Sequence, residues 1–130
     1  METTKYHLAL SLNGAIALGA YEAGVVAQIY SDVQALNKSS DHPIVSIDAV
    51  SGASAGAVCA TVLAQAVTIG EAPESFTKRL GDIWVRGLTI DNLFGDTKNT
   101  SHSLFDPKTL QDLASSVILS DDQLEARWQQ

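Results

Sequence analysis

The chain has 130 residues, of which 45% are hydrophobic and 18% charged, a composition typical of a globular protein with one domain. Its formal net charge is −7, and its basic residues are scattered singly apart from Lys78 and Arg79. This charge pattern excludes the basic surface on which nucleic-acid binding depends, and we expect no nucleic-acid partner.

The cysteine count and the hydropathy pattern exclude several further classes of structure. Cys59 is the only cysteine, which excludes an internal disulfide and a cysteine-clustered metal site, and its apolar neighbours predict a buried thiol. The apolar stretch 15–29 is interrupted by Glu22 and two glycines and falls short of a membrane span. The N-terminus lacks the pattern of a secretory signal. We expect a cytoplasmic protein, with attachment to a membrane surface left open.

The first half of the chain alternates between strand and helix patterns. Residues 7–12 are predicted to form a buried strand, followed by a turn at Asn13 and Gly14. Apolar residues then recur at helical spacing, which predicts a helix from about Gly19 to Asn37. Residues 44–50 are rich in β-branched side chains and are predicted to form a second strand.

The second half is mostly helical. The alanine-rich segment 58–69 is too long for a strand and predicts a buried helix that ends at Gly70. A third helix is predicted from about Pro73, with an apolar face, and a loop region is predicted beyond Gly87, mostly polar over 91–102. Asp106 followed by Pro107 is typical of a helix start and predicts a fourth helix to about residue 118.

This order of elements predicts an α/β fold with a parallel sheet. Two strands followed by helical segments are too few for a complete sheet of this class. We therefore expect residues 1–130 to be the N-terminal portion of a larger α/β domain.

The segment between the second strand and its helix carries the clearest chemical signal. It reads Gly52-Ala53-Ser54-Ala55-Gly56, with a serine between two glycines on a strand-to-helix turn. Such a turn is tight and strained and exposes the serine hydroxyl, and the residues two before and two after it must be small. The start of the following helix supplies N–H groups and a partial positive charge where an oxyanion would form.

The turn after the first strand is the second candidate, because ligands bind at the carboxyl ends of strands in open α/β sheets. Gly14 and Gly19 have the glycine spacing of a phosphate-binding loop, but Ala20 and Tyr21 stand where that loop requires Lys and Ser or Thr. The dinucleotide-binding pattern also fails, because Ile16 occupies the place of its second glycine. An ordinary packing turn remains the alternative.

Together these two segments resemble the patatin-like phospholipase family, whose members have an Asp-Gly-Gly-Gly-x-Arg-Gly turn followed by a Gly-x-Ser-x-Gly motif. The serine motif matches fully, and residues 19–25 are similar to the sequence that follows the first turn in many bacterial members. Residues 103–106 resemble a later family segment. The first turn departs from the family pattern in several places: Asn13, Ala15, Ile16 and Leu18 replace Asp, two glycines and Arg.

The resemblance implies a parallel-sheet three-layer core, incomplete in this chain, and hydrolysis of fatty acyl esters by a serine–aspartate dyad without metal or cofactor. Carried onto this sequence, it makes Ser54 the nucleophile and Gly52 and Gly56 the glycines of its turn. It makes the backbone N–H groups of Gly14, Ala15 and Ala55 the expected donors to the oxyanion. The implied partner is a lipid or acyl-ester substrate; the oligomeric state stays open.

The proton acceptor is missing from the matched motifs. The family places its aspartate in a downstream Asp-Gly-Gly or Asp-Gly-Ala motif, and neither tripeptide occurs in this chain. We expect that aspartate to lie beyond residue 130 and interpret Asp48, Asp82 and the other aspartates as structural or solvated. His102 is the one histidine after Ser54 and stays as a weaker alternative base. A catalytically degenerate patatin-like scaffold or lipid-binding domain is the alternative function.

Overall fold

The computed structural model describes residues 5–15 and 18–87, with residues 108, 111, 112, 114, 115 and 118. The described elements follow the order β1 (Tyr6–Leu12), α1 (Gly19–Lys38), β2 (Val45–Gly52), α2 (Ala55–Ile69) and α3 (Pro73–Gly81), and α3 continues as a π-helical turn (Asp82–Gly87). The α/β class is confirmed. The predicted loop over 91–102 lies outside the described residues, as does most of the predicted helix between Asp106 and residue 118.

The two strands pair in parallel, as the element order predicted. Their register runs from Tyr6 opposite Val45 to Leu12 opposite Gly52. Both strands therefore end at the same edge of the sheet, and the turns that follow them leave from neighbouring positions. This pairing brings the two candidate segments together.

A β-bulge interrupts the register of β2. Leu8 faces Ile47, but the next residue of β1 faces Ala49, so Asp48 is the extra residue. An extra residue reverses the alternation of side chains along a strand. Ile47 and Val50 consequently point to the same face of the sheet, against the helices, although their spacing alone would place them on opposite faces.

The hydrophobic core lies on that face of the sheet. Tyr30 of α1 and Phe76 of α3 meet edge to face with their ring centroids 4.8 Å apart, and both side chains are fully buried. The rest of the buried cluster comes from all three helices and the π-helical turn: Ala23, Val26, Ala27, Cys59, Val62, Leu63, Ala66, Leu80 and Ile83. The opposite face carries small exposed residues, Ala9, Ser11, Ala49 and Ser51, and no described residue forms a helical layer over it.

Two features define the end of α2 and the connection from it to α3. Gly70 ends α2 in the left-handed conformation, with φ 62° and ψ 40°, as its position in the sequence predicted. Beyond it, the Glu71 carboxylate is buried and accepts a hydrogen bond from the Arg79 guanidinium at 2.6 Å. The Tyr30 hydroxyl donates to the Glu71 carbonyl at 2.6 Å. These contacts join α1 and α3 to the connection between α2 and α3.

Among the described helices, none is both long and apolar enough to cross a bilayer.

Candidate active site

Ser54 is the residue that connects β2 to α2, and its backbone is strained. It has φ 52° and ψ −120°, and among the described residues no other non-glycine residue has a positive φ. An L-residue pays about 1–3 kcal/mol to adopt such a conformation, so the surrounding structure must impose it. The residue is exposed, and its hydroxyl does not cap the helix that follows.

The two glycines that flank Ser54 permit this conformation. A Cβ atom on Gly52 would collide with the backbone carbonyl of Gly56, so the two residues approach more closely than side chains allow. Gly56 also lies against the end of β1, where an added Cβ would be 2.6 Å from the Leu12 carbonyl oxygen and 2.7 Å from that of Asn13. The first turn of α2 is thus packed directly onto the end of the neighbouring strand.

Backbone hydrogen bonds hold the turn in place. The Ala53 N–H donates to the Leu12 carbonyl at 3.1 Å, which extends the pairing of the two strands by one residue. The Gly56 N–H donates to the Ala53 carbonyl at 2.9 Å, and the Ala57 N–H donates to the Ser54 carbonyl at 3.0 Å. Backbone hydrogen bonds therefore fix the chain on both sides of Ser54, and the Ser54 side chain takes part in none of them.

The turn after β1 meets Ser54. A Cβ atom built on Gly14 would lie 3.4 Å from the Ser54 Cβ and 3.6 Å from the Ala53 carbonyl oxygen. Neither Gly14 nor Ala15 has a positive φ, so an alanine at residue 15 adopts this backbone without strain. The replacement of a family glycine by Ala15 therefore causes no backbone strain at that residue, and Ile16 lies outside the described residues.

Three backbone N–H groups are available at this edge of the sheet. Ala55 is the first residue of α2, so its N–H has no acceptor within the helix, and the helix dipole adds partial positive charge there. Within the described part of the chain, the N–H groups of Gly14 and Ala15 also donate no hydrogen bond. Gly14 thus lies against Ser54, Ala55 directly follows it, and Ala15 follows Gly14 in the turn after β1.

His7 and Asp48 lie elsewhere. The Asp48 carboxylate contacts His7 Nδ1 at 2.5 Å, and hydrogen bonds from Ser46 and then His7 lower the pKa of that carboxyl group. His7 stands near the start of β1, five residues before its end, which is roughly 16 Å from the edge that carries Ser54. This exposed pair is remote from the serine, as expected for structural or solvated residues.

Asp82 is engaged by basic side chains of its own segment. Its carboxylate accepts hydrogen bonds from Lys78, at 2.9 Å, and from Arg86. These contacts, led by the Lys78 hydrogen bond, lower the pKa of the carboxyl group. The remaining candidates for a base in the sequence, among them Asp91, Asp106 and His102, lie outside the described residues.

One contact near the site was not anticipated from the sequence. Gly19, the first residue of α1, is buried under the indole ring of Trp84, and an added Cβ would collide with that ring. Trp84 lies in the π-helical turn, far from Gly19 in the sequence, so no local sequence pattern predicts the contact. The ring packs against the start of the helix that follows the first turn.

A family model described as Patatin-like phospholipase matches residues 10–129, nearly the whole chain. No curated protein and no solved structure matches the chain. The matched segment contains both the turn after β1 and the serine turn.

Proposed function

This chain belongs to the patatin-like phospholipase family, and on that premise we propose that it carries Ser54 as the nucleophile of a serine lipid acyl hydrolase. Family membership supports lipid acyl hydrolysis as the general activity. The observation that carries the assignment to Ser54 is its conformation: φ 52° at an exposed serine between a parallel strand and a helix. In serine hydrolases with a Gly-x-Ser-x-Gly motif, a strained turn of this kind presents the nucleophilic hydroxyl above the sheet, which supports the proposal.

The proposed reaction has two steps. Ser54 Oγ attacks the ester carbonyl carbon, its proton passes to a base, and the carbonyl oxygen becomes an oxyanion. The intermediate then collapses, the C–O bond to the alcohol breaks, and the alcohol leaves with the proton from the base. Water attacks the acyl-enzyme by the same route and releases the fatty acid and the free serine.

We assign stabilisation of the oxyanion to the backbone N–H groups of Gly14, Ala15 and Ala55. Gly14 packs against Ser54, and Ala55 follows it at the positive end of the α2 dipole. In other serine hydrolases, loss of one such donor lowers kcat by about 10²- to 10³-fold. Because backbone donors persist whatever the side chain, the alanine at residue 15 is compatible with this role.

We propose that the base is an aspartate beyond residue 130, and that residues 1–130 are the N-terminal portion of the catalytic domain. The resemblance of the two motifs supports this, as does the engagement of Asp48 by His7 and of Asp82 by Lys78 and Arg86. On this proposal the isolated 130-residue chain has no ester turnover. Turnover by that chain that depended on Ser54 would contradict the location of the base.

Reaction with an activated phosphonate tests the assignment of the nucleophile. The full-length protein should be labelled by a fluorophosphonate probe, and peptide mass spectrometry should place the label on Ser54. Ser54→Ala should remove both the label and the hydrolysis of a fatty acyl ester. Ser51→Ala is the matched control, because Ser51 is also exposed and lies three residues earlier on β2.

Labelling and turnover that survive in Ser54→Ala, or that disappear equally in Ser51→Ala, would contradict the assignment.

A catalytically degenerate scaffold or lipid-binding domain is the second candidate. It is favoured by the first turn, where Leu18 stands in the place of the family arginine and is 62% exposed. The two candidates differ in their response to the probe. A full-length protein that binds lipid but neither takes the label nor turns over an ester would be the degenerate domain.

A further inference from the structure

The indole ring of Trp84 lies directly on the first residue of α1. A Cβ atom added to Gly19 would be 2.1 Å from Cζ3 of the ring, 2.3 Å from Cη2 and 2.6 Å from Cε3. Cζ3 and Cη2 are the ring atoms that reach farthest from the backbone. Gly19 is buried, and only a residue without a side chain permits an approach this close.

The ring is held more firmly than the helix start on which it lies. Trp84 packs against the hydrophobic core, and its neighbour Ile83 is part of that core. Leu18, at the N-cap of α1, has no polar atom with which to cap the helix. A methyl group at residue 19 would therefore displace the start of α1 more easily than it would displace a ring wedged against a close-packed core.

The contact uses the size of the indole ring rather than its N–H group. Trp84 Nε1 is buried and has no hydrogen-bond partner in the described part of the chain. Burial raises the pKa of the Cys59 thiol to about 11 and the Trp84 N–H opposes that rise, so the two groups are close, but a protonated thiol is a weak acceptor. A buried donor without an acceptor costs about 1–3 kcal/mol, which phenylalanine would avoid. The longer reach of the indole toward Gly19 is the property that phenylalanine lacks.

Gly19 is connected to the proposed oxyanion donors by a short series of contacts. The residue before it, Leu18, donates its N–H to the Ala15 carbonyl at 3.3 Å. Gly14 precedes Ala15 and lies against Ser54, whose Cβ would be 3.4 Å from an added Cβ on Gly14. A shift of the start of α1 would therefore move both donors relative to the serine. These contacts lie within residues 14–84 and do not involve the part of the domain in which we place the base.

We propose that Trp84 is a positioning residue for the turn after β1: its ring fixes the start of α1 and so keeps the N–H groups of Gly14 and Ala15 directed at the oxyanion. This role rests on the proposed hydrolase function. Trp84 acts through Gly19 rather than on the reacting atoms. Misplacement of a catalytic group by about 1 Å can lower a rate about 10²-fold, so a packing contact outside the site can control kcat.

A steric exchange between the two residues tests this role in the full-length protein. Gly19→Ala places a methyl group where the ring lies, and kcat per serine titrated by a fluorophosphonate should fall about 10²-fold with KM unchanged. Trp84→Phe withdraws Cζ3 and Cη2 and should lower kcat about tenfold. The double variant Gly19→Ala/Trp84→Phe gives the methyl group room, so its kcat should be about tenfold higher than that of Gly19→Ala.

Gly24→Ala is the matched control. Gly24 lies five residues later in α1, and no atom lies within 4 Å of an added Cβ. Its kcat and KM should equal those of the parent. The titrated fraction and the thermal melt are measured for every variant, because a contact that served stability alone would lower these two quantities and leave kcat per titrated serine unchanged.

The proposal is overturned if Gly19→Ala and Trp84→Phe keep the parent's kcat per titrated serine, if the double variant is no faster than Gly19→Ala, or if Gly24→Ala loses as much. If Gly19→Ala does not fold, Trp84→Phe decides alone by the same measurement. A parent that is neither labelled nor active removes the hydrolase function and this role with it. A labelled, active parent whose variants match it removes this role alone.

Discussion

Gly14 and Ser54 face each other across the edge of the sheet, so that a methyl group on Gly14 would lie 3.4 Å from the Ser54 Cβ. The strand register explains this proximity. Leu12 pairs with Gly52, and Gly14 and Ser54 each lie two residues farther along. Parallel pairing of β1 and β2 therefore brings the glycine of the first turn against the serine of the second.

The strain at Ser54 predicts opposite effects for its two smallest replacements. Alanine keeps the Cβ atom that disfavours φ 52°, whereas glycine adopts this conformation freely. Relief of about 1–3 kcal/mol of strain outweighs the extra entropy of glycine in the unfolded chain, roughly 0.5–1 kcal/mol. Urea unfolding should show Ser54→Gly to be about 1 kcal/mol more stable than Ser54→Ala. An equal or lower stability of the glycine variant would mean that the turn is unstrained.

Gly56 and Gly24 should respond to alanine in opposite ways. A methyl group on Gly56 would lie 2.6 Å from the Leu12 carbonyl oxygen, so Gly56→Ala should lower the free energy of unfolding by about 1–3 kcal/mol. Gly24 lies within α1 with no atom within 4 Å of an added Cβ. Gly24→Ala should therefore raise the free energy of unfolding by about 0.5–1 kcal/mol. Denaturant melts followed by circular dichroism measure both, and a Gly56→Ala variant as stable as the parent would contradict the close packing of α2 on β1.

The ion pair between Arg79 and Glu71 should contribute strongly to stability. The Glu71 side chain is 3% exposed and that of Arg79 17%. Arg79→Ala deprives a buried carboxylate of its guanidinium partner and should lower the free energy of unfolding by about 3–5 kcal/mol. Lys78→Ala is the control, because the Lys78 ion pair with Asp82 is exposed and should contribute far less to the free energy of unfolding. Equal losses of unfolding free energy in the two variants would show that the buried ion pair contributes no more to stability than the exposed one.

Cys59 should be unreactive in the folded protein. The side chain is fully buried, and burial, with Glu22 adding to it, raises the pKa of the thiol to about 11. Because only the thiolate reacts, a disulfide reagent at pH 8 should modify the native chain far more slowly than the chain in urea. The raised pKa also means that the unfolded state loses its proton first, so this group's contribution to stability should fall as the pH rises from about 9 to about 11. Rapid native labelling would contradict the burial.

Local sequence patterns predicted most of the elements. The helical spacing after Gly19 predicted α1 to within one residue at its C-terminal end, and Gly70 predicted the end of α2. The residues two before and two after Ser54 were predicted to be limited to small side chains, and Gly52 and Gly56 approach each other too closely for a Cβ atom. These features depend on contacts between residues near in sequence, which is why a single sequence shows them.

Contacts between distant residues were not predictable in this way. The bulge at Asp48 reverses the alternation of β2, so Ile47 and Val50 face the same core although their spacing implies opposite faces. α2 was expected from residue 58 but begins at Ala55, because the serine turn itself forms the first turn of the helix. The packing of Trp84 on Gly19 depends on how α3 returns to α1 and leaves no signal in either segment.

A crystal structure of the full-length protein after reaction with a fluorophosphonate would test the central claim most directly. We expect the phosphorus atom bonded to Ser54 Oγ and a phosphonate oxygen 2.7–3.1 Å from the backbone nitrogens of at least two of Gly14, Ala15 and Ala55. An adduct on Ser54 whose oxygens face away from the turn after β1, or an adduct on another residue, would contradict it.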